Sequence, residues 1–134
     1  MNNNTFEIFE TVVIQRLQRL NKEQLDGACY FLFTLHERLP NRWKTETLLN
    51  ELAIAELFDI ISEMCTYIKT FTQKYKSTQW LNGSLSIINI FRIHIKSMQR
   101  NYYTLNVFTA LLKHFISTAD ELLETDTLTA ADAA

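Results

Sequence analysis

Apolar residues recur at steps of three and four along most of this chain, the mark of helices that bury one face. Phe6, Phe9, Val13, Leu17 and Leu20 form the first stripe, and Asn4 followed three residues later by Glu7 reads as the capping box that starts it. Asn21 and Gln24 make a second box directly after that stripe. So short a link makes the first two helices antiparallel neighbours. The second helix carries Leu25, Ala28, Cys29, Phe31, Leu32 and Leu35. It should stop near Arg38, because Pro40 pushes the residue before it out of the α region.

A loop through Asn41, Arg42, Trp43 and Lys44 leads into a long helical pattern over residues 45–76. Its apolar positions fall in two phases. Leu48, Leu49 and Leu52 point one way. Leu57, Ile61, Met64, Ile68, Phe71 and Tyr75 point another, rotated by roughly 100°. A kink or a short break near Asn50, or two different packing partners, is expected. Ser77 to Gly83, with Trp80, reads as a linker, and Ser84 as the cap of the next helix.

Residues 84–103 alternate like a strand at Leu85–Ile87 and Phe91–Ile95, yet Ile87, Ile88, Phe91, Ile95, Met98 and Tyr102 fit a helix over a longer span. A lone strand would leave its backbone groups unpaired, so the helix is preferred. Thr104 or Asn106 caps a final helix to about Glu124, with Phe108, Leu111, Leu112, Phe115, Ala119 and Leu122 inward. The small and acidic residues 125–134 show no periodicity and read as a disordered acidic tail.

The pattern therefore predicts an all-α, single-domain bundle over residues 1–124, of four to five main helices, mostly antiparallel, with a kinked long central helix. The core should hold Phe9, Val13, Leu17, Phe31, Leu32, Leu57, Ile61, Ile68, Phe91, Ile95, Phe108, Leu112 and Phe115.

Composition narrows this further. Two glycines and one proline leave too little turn chemistry for a β-sandwich and no glycine-rich phosphate loop. The longest apolar stretch, Leu85 to Ile95, is broken by Asn89, Arg92 and His94 and is too short for a bilayer. No membrane partner is expected. Cys29 and Cys65 sit in apolar helical context and read as free buried thiols; with no leader-like start, a cytoplasmic location is expected.

Charge is unevenly placed although the net value is only −2. Residues 1–63 carry six basic and ten acidic side chains, residues 64–119 seven basic and no acidic ones, and residues 120–134 five acidic and no basic ones. Arg92, Lys96 and Arg100, at steps of four, form one stripe opposite the isoleucines. With Lys69, Lys74, Lys76, Trp80, Tyr102 and Tyr103 they make a candidate interaction face. Such a run is most often a solvated face; it could also pack on the acidic half, or bind phosphates or an acidic protein.

Catalytic and metal chemistry find little footing. None of His36, His94 and His114 has zinc-site spacing, and His36 shares the face of Leu25, Cys29 and Leu32, as a core histidine would. Glu56, Asp59 and Glu63 share a face, but no glutamate is followed by histidine three places on, as a di-iron bundle requires. No catalytic residue, metal or cofactor is expected. The preferred expectation is a non-enzymatic protein-interaction module (adaptor, chaperone, immunity protein or inhibitor), able to form a homodimer. The alternative is a small nucleic-acid-binding or nucleoprotein-assembly subunit using the basic and aromatic face in residues 64–103.

Overall fold

The computed structural model describes residues 4–44, 51–98 and 105–133. Five α-helices make up the bundle: α1 (Asn4–Arg19), α2 (Lys22–Arg38), α3 (Glu51–Tyr75), α4 (Thr78–Met98) and α5 (Leu105–Ala133). A short 3₁₀ turn, Asn41–Lys44, follows α2. There is no strand among the described residues. The expected all-α bundle is therefore the fold.

The start of α2 follows the sequence closely. Asn21 accepts from the Gln24 backbone N–H at 2.9 Å, and the Gln24 side chain accepts from the Asn21 N–H at 3.0 Å. These bonds satisfy donors that a helix N-terminus otherwise leaves open. At the other end Leu39 is extended, with ψ 136°, as the residue before a proline must be.

Directions follow from which residues meet. Arg16 of α1 bonds Ser86 of α4 at 2.8 Å, while Phe9 packs edge-on against Phe91 at 5.0 Å, so α1 and α4 are antiparallel. Tyr30 meets Phe71 and Arg38 meets Glu63, so α2 and α3 are antiparallel too. Asn21 meets Gln79 and Phe31 meets Phe91, so α2 and α4 run the same way. The centre of the core is aromatic. Phe91 takes Phe9, Phe31, Phe108 and Phe115 edge-to-face at 5.0–6.3 Å. That arrangement matches positive ring edges to negative ring faces. Every residue expected in the core is 0–1% exposed.

The α2–α4 seam is tighter than the periodicity implied. The chain's two glycines, Gly27 and Gly83, both lie there. A Cβ on Gly27 would stand 2.0 Å from the Trp80 carbonyl oxygen, and one on Gly83 would stand 1.9 Å from that of Gln24. Only a residue without a side chain permits such backbone contact. Ser84 is fully buried and donates to the Gly27 carbonyl at 2.8 Å, so its hydroxyl is satisfied inside the seam.

Three expectations change. The segment Ser77 to Gly83 is not a linker: α4 starts at Thr78, capped by Ser77, whose Oγ accepts from the Trp80 N–H at 3.2 Å. Ser84 is consequently an interior residue and not a cap. The stretch around Trp43 is an ordered 3₁₀ turn because the indole is buried, 2% exposed, beside α5. The last helix continues past Glu124 to Ala133, with Thr125 Oγ1 bonding the Glu121 carbonyl at 2.9 Å. Alanine-rich sequence favours that continuation. The kink expected near Asn50 lies outside the described residues, and α3 begins after it at Glu51.

Candidate docking groove

The cations expected to form one face are divided between two places. Lys69 and Lys74 are exposed on α3, and Lys76 sits in the turn before α4. Arg92 is half-buried and Lys96 exposed, further along α4, where the Lys96 ammonium lies 5.6 Å over the Phe58 ring. From Thr78, at the start of α4, to Arg92 is about 21 Å along the helix axis at 1.5 Å per residue, and Lys69 lies at an intermediate level on the antiparallel α3. Arg100, Tyr102 and Tyr103 lie outside the described residues. Trp80, expected on the surface, is 3% exposed because α4 starts early enough to turn the indole against α2.

What the structure does assemble is a ring cluster that periodicity had assigned partly to the core. Tyr67, Phe71 and Tyr75 stand at steps of four on α3. Phe71 is half-buried, while Tyr67 is 48% and Tyr75 69% exposed. The cause is the position of α3, which leans on α4 and more lightly on α2. The last two turns of its apolar face therefore border a groove.

Phe71 is the hub. Tyr30 of α2 stacks on it at 5.8 Å, nearly parallel at 4°, and Tyr67 stacks beside it at 6.0 Å. Tyr75 and Trp80 lean on it at 5.2 and 5.7 Å. Phe33, 52% exposed, edges the same hollow from α2. Two adjoining cavities, of about 480 and 470 Å³, share Asp26, Lys76 and Trp80. That scale suits a side chain or a short peptide segment.

Charged groups line these cavities in an ordered way. Asp26 Oδ2 accepts from the Trp80 indole N–H at 3.1 Å. Asp120 of α5 accepts from the Cys29 thiol at 3.3 Å. Ser77 donates to Glu23 at 2.6 Å, tying the start of α4 to α2. The Lys76 ammonium stands 5.7 Å over the Trp80 ring, within cation–π range. Burial, then the hydrogen bond and charge of Asp120, then the charge of Asp26, push the Cys29 thiol up to about 12. Burial and the hydrogen bond with Tyr67 likewise raise Tyr30.

These facts limit the chemistry. A thiol held protonated by burial and by two nearby carboxylates is a poor nucleophile and a poor metal ligand. Among the described residues no three histidine, cysteine, aspartate or glutamate side chains gather as a metal would need. Of the acidic trio on α3, Glu63 faces Arg38 at 4.0 Å across an exposed surface. His36 is half-buried beside a separate hollow lined by Phe33 and Trp43. The groove offers aromatic rings, carboxylate oxygens and the ammonium groups of Lys22 and Lys76, which suit binding.

No α-helix among the described residues is long and apolar enough to cross a membrane. Comparison with protein-family models, with curated proteins and with solved structures gives no match to this chain.

Proposed function

We propose that this chain is a non-enzymatic protein-interaction module, an adaptor or inhibitor type of accessory protein, that docks its partner in the aromatic groove between α2 and α3. The observation that carries the reading is the ladder of Tyr67, Phe71 and Tyr75, in which Tyr67 is 48% and Tyr75 69% exposed while Phe71 and Tyr75 each line one of two adjoining cavities. Aromatic rings supply much contact area at little conformational cost, and they dominate the binding energy of protein interfaces. The neutral thiol at the groove's floor favours docking over nucleophilic chemistry.

A nucleic-acid role is less well supported. A phosphate backbone calls for a continuous basic track, and here the cavity beside the exposed rings is edged by Asp26 and Asp120 as well as Lys76.

The test is capture of the partner by the native chain and by Tyr67→Ala/Tyr75→Ala, at low and high salt with nuclease present. The reading predicts a partner retained at high salt by the native chain and lost by the variant. Equal capture by both chains, or capture abolished by nuclease, contradicts it.

A further inference from the structure

We propose that the cavity between Trp80, Phe71, Asp26 and Asp120 is a receptor for an arginine side chain presented by a basic segment of the partner. The inference rests on the docking role above and names the chemistry of the group that enters. Three observations converge on it. The walls are aromatic: Tyr30, Phe71 and Trp80 lie within 5.3–5.8 Å of one another and line a common space of about 480 Å³.

The rim supplies two carboxylates from different helices, Asp26 on α2 and Asp120 on α5, against the single ammonium of Lys76. Each carboxylate keeps one oxygen beyond the one engaged with Trp80 or Cys29. The third observation is that a cation already uses the site, since the Lys76 ammonium sits over the Trp80 ring.

A guanidinium fits this set better than an ammonium. It is flat, so it lies against a ring while its edge donates to carboxylates, whereas an ammonium is a compact and strongly hydrated charge. Lys76 lies in the turn before α4 with its side chain exposed, so it can withdraw when a stronger cation enters. After burial, the charges of Asp120 and Asp26 also push the Cys29 thiol up, since both carboxylates face this spot. The carboxylates come from α2 and the acidic end of α5, while Phe71 and Lys76 belong to the basic stretch; with two carboxylates against one ammonium, this cavity's own lining suits a basic group.

The test uses the full chain and its two tryptophans, Trp43 and Trp80, whose indole N–H signals are separated in a nitrogen–proton correlation spectrum with Trp43→Phe. The probe is a capped Gly-Arg-Gly peptide, set against peptides carrying citrulline, the neutral isostere, or trimethyllysine. The Trp80 signal should shift saturably with the arginine peptide and much less with citrulline. Asp26→Asn with Asp120→Asn keeps both hydrogen-bond acceptors and should weaken binding about tenfold. Lys76→Ala removes the resident cation and should tighten binding about threefold.

No saturable shift, equal shifts with citrulline, tighter binding of trimethyllysine, or indifference to Lys76→Ala overturns the proposal. If the doubly neutralised chain fails to fold, the citrulline and Lys76→Ala comparisons decide. If that chain folds and still captures the partner while Tyr67→Ala/Tyr75→Ala does not, the docking role stands and the arginine receptor falls.

Discussion

At Gly27 and Gly83 the backbones of α2 and α4 touch, with no room for even one methyl group. One turn further along α2, at Tyr30, the space toward α3 is wide enough for stacked rings and a cavity. The two regions share α2, α4 and Trp80, whose backbone carbonyl oxygen abuts Gly27 and whose indole lines the groove. The seam spends the chain's only glycines on close approach and buries its one hydroxyl with a partner. The groove leaves rings, a thiol and carboxylates within reach of another molecule. A rigid seam holds Trp80 and Asp26 in fixed places, and the neighbouring rings stack on that support while Tyr67 and Tyr75 stay exposed at its edge.

The largest contrast should appear in Cys29. Its pKa of about 12 in place of 9.0 lowers the thiolate fraction at pH 8 on the order of a thousandfold. Disulfide-exchange labelling in a Cys65→Ala background should be slower than for free cysteine by that order. Asp120→Asn should recover part of the rate, because the hydrogen-bonded charge is removed while burial remains. The same group links stability to pH. Folded Cys29 holds its proton more tightly than unfolded Cys29, so its contribution is whole below about pH 9 and lost as pH rises toward about 12. A chain whose stability rises over that interval would contradict the assignment.

Next comes the seam itself. Alanine is the better helix former by about 1 kcal/mol, so a roomy site would gain from Gly83→Ala. Here the added carbon meets backbone, and a loss of about 3 kcal/mol or more is expected in urea unfolding. A gain in stability would show that α2 and α4 do not touch. Ser84→Ala should cost about 1 kcal/mol, the worth of one buried hydrogen bond.

The smallest effect should come from the groove's rim. Tyr67→Ala/Tyr75→Ala should alter stability by less than about 1 kcal/mol while abolishing partner capture, because solvent-facing rings bury little area on folding. A larger loss would mean that these rings belong to the core after all.

The sequence carried the bundle well, because a helix buries whatever recurs at its own period. Phe9, Leu32, Ile61, Phe91 and Phe115 could be placed inside from spacing alone. Spacing could not tell that Tyr75 would be exposed, since it lies in the same phase as Leu57, which is buried. Exposure there depends on which helix covers the end of α3, a tertiary fact without a local pattern. The glycines were misread for a related reason. Gly83 in Asn82-Gly83-Ser84 has the composition of a turn, and only the presence of α2 alongside makes it a helix-interior contact. The cationic stripe was visible, but its spread along the α3–α4 hairpin follows from α4 beginning at Thr78.

The most direct measurement is photo-cross-linking with a reactive phenylalanine analogue placed at residue 67 or 75, and at Gln15 on the exposed face of α1 as control. Docking in the groove predicts one defined protein adduct from 67 and from 75, and none from 15. Absence of an adduct at both rim positions, or an equal adduct at the control, would contradict it.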